Sequence, residues 1–477
     1  MPLGNEFNPV FLNAFSKEQA WQYRVLPKLS DDNGMVLLCD DTENRVLLAN
    51  ELRGLLGKRI IFDPHPESII SRLLNQHYPK EEEKVAEPVE KVTLTTEGDN
   101  FLNDLVLEAR ALKSSDVHLE VYEEYCRVRI RIDGVMVERY ALKKGEYPAL
   151  INKIKLKAHL DTEETRLPQD GKINFRNASE VFDVKVSVLP TLHGEKVVLR
   201  LLNNHAANID LKEVGFSAFD LANYLQGVKR PKGIILISGP SGCGKTTTLY
   251  STLKYLNKET MNILTIEDPI EYTLHGINQV QLNPGIGITY TSALQTFFRQ
   301  DPDVIMIGEI RDAETANMAI KAALAGHLVF STIHSDSAWN TISHFMDMGI
   351  PAYQIANALN TSVAQRLIRI LCKHCKERAS FEDTLYPKQF APFAAITHHY
   401  HAKGCEHCHY TGFNGRKAVY EVIPMDLELS HEIKQSNHNV HYLLKERGVK
   451  SLGENAFEIF ARGETTIEEI YPLLFLG

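Results

Sequence analysis

The sequence predicts an α/β chain in three parts: a small first domain, an α+β second domain, and a C-terminal domain built on a buried parallel sheet with crossover helices. Three observations carry this. The run "YPKEEEKVAEPVEKV", residues 78–92, is charged, holds two prolines and has too little large apolar surface to offset the cost of ordering, so it reads as a linker. Around Asp133-Gly134, a favoured hairpin turn, "YCRVRIRIDGVMVERYAL" alternates apolar and polar residues on both sides. From Leu211 onward the runs "GIILISG", "MNILTIED", "DVIMIGEI" and "HLVFSTIH" are each followed by a helical segment, the signature of a buried parallel sheet.

Taken in order, "LLANELRGLLGKRIIFDPHPESIISRLLNQHY" predicts a helix, a strand and a helix in a first domain over 1–80 that carries no catalytic signature. Residues 81–94 form the expected linker. The second domain, 95–208, opens with a helix in "NFLNDLVLEARAL" and continues through the Asp133-Gly134 hairpin to alternating strands in "GKINFRNASEVFDVKVSVLP" and "GEKVVLRLL". The third domain, 209–477, holds the chemistry.

With 477 residues, 44% of them hydrophobic, each part has enough apolar material for its own core. A net charge of -9 and an isoelectric point near 6.1 give no general electrostatic reason to bind nucleic acid or anionic lipid. No window approaches the roughly 18 to 20 uncharged apolar residues of a membrane span, and "MPLGNEFNPVFLNAF" lacks a basic region followed by an apolar core. A cytoplasmic location is expected.

The stretch "GIILISGPSGCGKTTTL" places the full GxxxxGK[ST] pattern after an apolar strand and at a helix start, where its physics requires it. Gly239, Pro240, Ser241, Gly242, Cys243 and Gly244 form a loop whose glycines let backbone N–H groups point at phosphates, and Lys245, Thr246 and Thr247 open the helix. Lys245 is expected to neutralise the outer phosphates of ATP and the Thr246 hydroxyl to ligate magnesium. Cys243 reads as a tolerated small residue in preference to a redox sensor.

Hydrolysis needs one carboxylate for the hydrated metal and another for the attacking water. "ILTIEDPIEY" offers Glu267, Asp268 and Glu271 at one strand end, and "DPDVIMIGEIRD" offers Glu309 at another. Chemistry is the favoured reading for Glu271 and Glu309; for Asp268, capping of a following helix competes evenly. In "GHLVFSTIHSD" His334 ends a further strand, placed for an imidazole to sense the γ-phosphate.

Near the C-terminus "LCKHCKE" and "GCEHCHY" supply Cys372, Cys375, Cys405 and Cys408, two CxxC pairs about thirty residues apart, a spacing suited to tetrahedral four-thiolate zinc. Four sulfurs complete the shell without His374 or His407. Such a zinc has no open position for water and is structural, tying off the excursion 372–408.

These motifs carry a family likeness. "GPSGCGKTTTLYSTL", "TIEDPIEY", "FFRQDPDVIMIGEIRDAETANMAIKAALAGHLVFSTIHSD" and "QRLIRILC" resemble the Walker A loop, Asp box, Walker B segment and His box of the type II secretion and type IV pilus assembly ATPases. "SSDVHLE", "RIRIDG", "RLPQDGK" and "GEKVVLRLL" are similar to that family's N-terminal core, and the likeness runs from about Asp104 to the end. It implies a RecA-like P-loop ATPase domain preceded by a PAS-like domain, and a ring of six subunits at the cytoplasmic side of the inner membrane. It also implies Glu271 as general base and Glu309 as the Walker B carboxylate. Arg299, Arg311 and Arg416 match family arginines near the nucleotide, and Arg200 matches a residue that reaches the phosphates. In "FDVKVS" Lys185 stands where relatives carry an arginine expected at the γ-phosphate; lysine supplies charge without the planar fork. "SDSAWN" after His334 replaces the commoner TNDA type of run.

The expected function is therefore that of a mechanical ATPase using ATP, magnesium and zinc, in which hydrolysis releases contacts from Lys185 or Arg200 and lets the domains turn about a hinge in "NNHAANIDL". The zinc motif resembles assembly and secretion motors, since retraction motors of the family generally lack it. A short chain with one compact first domain, and without "RLGxxL" repeats, leans towards type II secretion, with pilus assembly the alternative. Residues 1–80 are then the expected docking site for the cytoplasmic domain of a bitopic inner-membrane protein, and a polytopic platform protein receives the motion. A nucleic-acid motor is disfavoured by the acidic composition, and a small-molecule kinase by the long N-terminal region.

Overall fold

A computed structural model of the chain describes residues 14–15, 17–30, 34–40, 48–49, 52–53, 58–78, 92–93, 101–176, 181–201, 209–387, 390–437 and 439–475. Two units divide it, residues 1–90 and 91–477. Most of the expected linker, residues 81–91 and 94, lies outside the described residues, as does the hinge segment 203–208.

In the first unit, α1 (Lys17–Tyr23) leads into β1 (Val25–Ser30), β2 (Met35–Asp40) and β3 (Ile60–His65), which α2 (Glu67–His77) follows. The sheet runs β1-β2-β3, antiparallel then parallel. Leu26, Leu37 and Leu38 of the sheet and Ile70 and Leu74 of α2 belong to one buried apolar cluster. The strand and second helix match the sequence expectation; β1 and β2 were not anticipated, because β2 reads "MVLLCD", an apolar run without alternation.

The second unit begins with β4 (Val92–Thr93), α3 (Phe101–Ala111), β5 (Asp116–Val121), β6 (Cys126–Ile132), β7 (Val135–Leu142), α4 (Tyr147–Lys157), β8 (Gln169–Arg176), β9 (Val181–Thr191) and β10 (Gly194–Leu201). Asp133 and Gly134 both take positive φ, 48° and 89°, the geometry of a two-residue hairpin turn whose twist matches its strands. Sheet order is β4-β7-β6-β5-β10-β9-β8, antiparallel throughout except for β4 on β7. Alternation sends Val128, Ile130, Val184, Val186, Val197 and Leu199 to one face, where they pack on Val106, Ile151 and Ile154 of α3 and α4. The opposite face is polar. At one end of it Glu120 is ringed by Arg127, Arg129 and Lys196; at the other, Asp116, Arg200 and Lys185 stand side by side on β5, β10 and β9.

From residue 209 the chain forms α5 (Ala218–Val228), β11 (Gly233–Ser238), α6 (Lys245–Leu256), β12 (Ile263–Glu267), β13 (Asn278–Gln281), α7 (Tyr290–Phe297), β14 (Val304–Ile307), α8 (Ala313–Ala325), β15 (Leu328–Ile333), α9 (Asn340–Asp347), α10 (Ala352–Ala358) and β16 (Leu359–Leu371). There follow β17 (Lys376–Ser380), β18 (His398–Ala402), β19 (Phe413–Pro424), α11 (Leu427–Lys434), α12 (His441–Glu446), α13 (Leu452–Ala461) and α14 (Ile467–Ile470). The seven-stranded sheet runs β13-β12-β14-β15-β11-β16-β19, with only β19 antiparallel. All four apolar runs singled out in the sequence are parallel strands, and every residue of β11, β12, β14 and β15 is buried. Helices cover both faces, as such strands demand. Because β11, β12, β14 and β15 are parallel, the segments leaving their C-terminal ends gather along one rim. Among the described residues no helix is long and apolar enough to cross a membrane.

Candidate active site and metal centre

The rim's centre is the turn from β11 into α6. Gly242 and Gly244 take φ of 77° and 91°, which only glycine adopts without strain, and Gly244 caps the N-terminus of α6. Gly239 is required by space as well: a Cβ there would lie 2.4 Å from the Gln365 carbonyl oxygen. From β16 the Gln365 side chain braces the loop, its Nε2 donating to the Cys243 carbonyl at 2.8 Å and its Oε1 accepting from Thr248 Oγ1 at 2.9 Å. Tyr420 of β19 joins through Thr248 at 3.1 Å. Pro240, Ser241 and Gly242 face solvent, and Thr246 and Thr247 stand half-buried in the first turn of α6.

Lys245 folds back over the loop, its Nζ donating to the carbonyls of Gly239 at 2.6 Å and Pro240 at 2.9 Å. Burial lowers its pKa, opposed by the nearby Glu309. Cys243 is buried and burial pushes its thiol pKa up, so the thiolate that a redox sensor needs is disfavoured.

Glu309 sits just past β14, on a turn fixed by Ser331 Oγ on the Ile307 carbonyl (2.8 Å) and Thr332 Oγ1 on the Gly308 carbonyl (2.8 Å). Its carboxylate pairs with Arg311 and lies 3.8 Å from His334 Nε2, His334 having emerged from β15. Neither Asp268 nor Glu309 is a helix cap: Asp312 caps α8 through Thr315 N, and no helix starts at Asp268, which is exposed within electrostatic reach of Arg311. Glu271 stands beyond the end of β12, its carboxylate 3.6 Å from Lys185 Nζ of β9, with Arg200 also within its electrostatic reach. The two cations on the polar face of the first module therefore face the acidic rim of the second.

Three residues expected at the nucleotide have partners within the chain. Glu267 is buried and accepts from Tyr250 Oη, Thr265 Oγ1 (2.6 Å) and Gln279 Nε2 (3.1 Å), so its carboxylate serves β12 and α6. Arg299 donates to Gln295 O at 3.0 Å and Thr296 Oγ1 at 3.3 Å, at the end of its own helix, α7. Arg416 of β19 lies 3.6 Å from Asp133, whose other oxygen accepts from Gly415 N at 2.7 Å. With Arg366, Arg369 and Pro240–Cys243, Arg416 and the 133–135 turn line a recess of about 320 Å³ beside the loop. Sequence reasoning had not marked Gln365, Asp116 or Asp133 as site residues, although all three lie within or beside stretches it quoted.

The four cysteines converge between β16 and β19. Sγ separations are 3.9 Å for Cys372–Cys405, 3.7 Å for Cys375–Cys408 and 3.8 Å for Cys405–Cys408. A tetrahedron with metal–sulfur bonds of about 2.3 Å sets its sulfurs about 3.8 Å apart, so the donor set fits zinc. Disulfide bonding, at about 2.05 Å, is excluded. Backbone N–H groups of Cys405 and Gly412 each donate to Cys408 Sγ at 3.2 Å. His374 and His407 are exposed and stack on each other, ring centroids 4.2 Å apart, outside the four-sulfur cluster.

Comparison with known proteins agrees with this geometry. Residues 96–472 match the family described as "Type II/IV secretion system protein". The chain is 40% identical to the type II secretion system protein HxcR of Pseudomonas aeruginosa over 78% of its own length and 76% of that protein. It is 36% identical to the type IV pilus assembly ATPase PilB of Myxococcus xanthus over 98% of this chain and 87% of that one. Against PilB of Thermus thermophilus it is 35% identical over 94% of its length, and spans 53% of that longer protein. Among solved structures, the pilus retraction motor PilT (24% identity, TM-score 0.53, covering 78% of this chain and 96% of that one) shares the fold. So does the ATPase DotB of Legionella pneumophila (19% identity, TM-score 0.59, covering 81% and 98%). The parallel sheet is thus the RecA-like sheet of these ATPases, and the chain belongs to the type II/IV secretion system protein family.

Proposed function

We propose that the chain is an ATP hydrolase that powers assembly of a pseudopilus or pilus. The observation that carries this is the meeting at one rim of the glycine loop, Glu309, His334 and Glu271, with Lys185 and Arg200 facing Glu271 from the preceding module. In this reading the backbone N–H groups of residues 241–245 hold the ATP phosphates. Thr246 and Glu309 would hold magnesium, which when bound neutralises charge on the β- and γ-phosphates. Glu271, released from Lys185, takes a proton from water as its oxygen bonds to the γ-phosphorus and the bond to ADP breaks. Lys185 and Arg200 stabilise charge on the terminal phosphate, and His334 reports its presence. Arg299, Arg311 and Arg416 complete the set of cations around the nucleotide. Lys245→Ala should leave a folded protein with turnover down at least about a hundredfold. Normal phosphate release by that variant would remove the premise.

The finer readings rest on family resemblance. The proposed division is 1–80, 81–94, 95–208 and 209–477; separate apolar clusters within 15–78 and 102–201 support the first two domains, and the antiparallel sheet with α3 and α4 on one face suits a PAS-like module. A homohexamer in the cytoplasm, peripheral at the inner membrane through a bitopic and a platform protein, is the proposed working form. Type II secretion is the system proposed first, in keeping with the 40% identity to type II secretion relatives. Pilus assembly gains from one observation: the two PilB relatives align over 94% and 98% of this chain, the HxcR relative over 78%. Pull-down with the cytoplasmic domain of the bitopic secretion protein, comparing the full chain with residues 81–477, separates the two. Equal recovery of both would count against docking through 1–80.

A further inference from the structure

Asp116 lies on the same polar sheet face as Lys185 and Arg200 yet has no part in the chemistry above. The register makes it the direct neighbour of Arg200 on one side and of Arg131 on the other. Its carboxylate is buried, unlike the Arg200 side chain, which is 63% exposed. Oδ1 accepts from Arg200 Nε at 2.8 Å; Oδ2 accepts from Ser115 Oγ at 2.8 Å and stands 3.8 Å from Arg131 Nε. Contact through Nε is informative, because it fixes the plane of the guanidinium while leaving both terminal amino groups for another partner. Glu271 lies within electrostatic reach of that guanidinium. A long arginine held only at its tip loses its geometry cheaply; one pinned at Nε by a buried acid is pre-organised.

We infer that Asp116 is a positioning residue that aims the Arg200 fork at the terminal phosphate of ATP. This rests on the reading of Arg200 given above, and Asp116 acts only through it. Ser115 holds the second oxygen, so the acid keeps its orientation when Arg200 exchanges partners during the cycle.

The test compares Asp116→Asn, Arg200→Ala and the double variant in full-length protein, measuring steady-state ATP hydrolysis and competition by ADP. The expected result is a fall in kcat of about tenfold for Asp116→Asn with KM within about threefold, and lost preference for ATP over ADP. No further loss is expected when the change is added to Arg200→Ala. Glu120→Gln is the control for a merely structural acid on this face: it sits at the other end of the sheet, bound to Arg127, Arg129 and Lys196, and should leave kcat unchanged. Losses that add, or an unaffected kcat in Asp116→Asn beside a crippled Arg200→Ala, overturn the inference while leaving the Arg200 reading intact. Full turnover in Arg200→Ala overturns both.

Discussion

Glu421 is a carboxylate held almost wholly out of water at the back of the site. Its oxygens accept from Ala338 N at 3.0 Å, four residues beyond His334, and from Leu452 N at 3.3 Å, at the start of α13. Burial pushes its pKa up to about 7; the two backbone donors and the more distant Arg366 pull it down, and Glu454 pushes it further up. Since the folded protein holds this proton more tightly than the unfolded chain, its contribution to stability is full below the ordinary carboxylate range and is lost as pH rises through 7. The difference amounts to about 3 kcal/mol between pH 4.5 and 8. Glu421→Gln, which does not titrate, should therefore gain on the wild type by that order as pH rises. Trp339 lines the same cavity as Glu421, and the chain has only two tryptophans, so denaturant unfolding followed at Trp339 in a Trp21→Phe background reads the effect. Parallel pH profiles for the two proteins would refute it.

At the level of elements, what was legible in the sequence was whatever is encoded by local spacing. The loop glycines, the Asp133-Gly134 turn, the four buried strands and the cysteine pairs each follow from a pattern a few residues long. What was not legible depends on which distant element arrives. Glu267 reads as a strand-end acid like Glu309, yet Tyr250 and Gln279, from α6 and β13, claim its carboxylate. Gln365 looks like any polar residue in a strand until β16 is laid beside β11 and its amide meets the loop. The excursion between β16 and β19 shows the same division. Among the described residues its strands β17 and β18 pair only with each other, and its ends are gathered by the four sulfurs. Its middle packs Phe381, Tyr386 and Phe390 on Phe457 and Phe460 of α13, so a metal would pin the ends of the segment. One zinc per chain is expected by elemental analysis; Cys408→Ser should lose it and become cleavable by protease within 373–411 before the rest of the chain is attacked. Zinc kept at full stoichiometry by that variant, or absent from the wild type, would contradict the assignment.

Across the second unit, transmission depends on how the module 101–201 meets the region from 209 onward. Among the described residues, the apolar cluster of the module contains none beyond Leu201, and those of the region beyond begin at Leu211. What joins them at the site is polar: Lys185 on Glu271, and Asp133 on Gly415 N and Arg416. Contacts of this kind exchange with water at small net cost, whereas an apolar interface would resist opening. The Asp133 contact has a direct spectroscopic handle, because the Gly415 amide donates to it. In Asp133→Ala that amide should exchange with deuterium faster, by about tenfold or more, with the thermal midpoint within a few degrees of wild type. If closure of the module over the rim assembles Lys185 and Arg200 around the phosphate, the same change should also lower kcat several-fold at saturating ATP. Faster exchange with unaltered turnover would mean that the turn and the chemistry move independently, and that the motion of this module is not what hydrolysis drives.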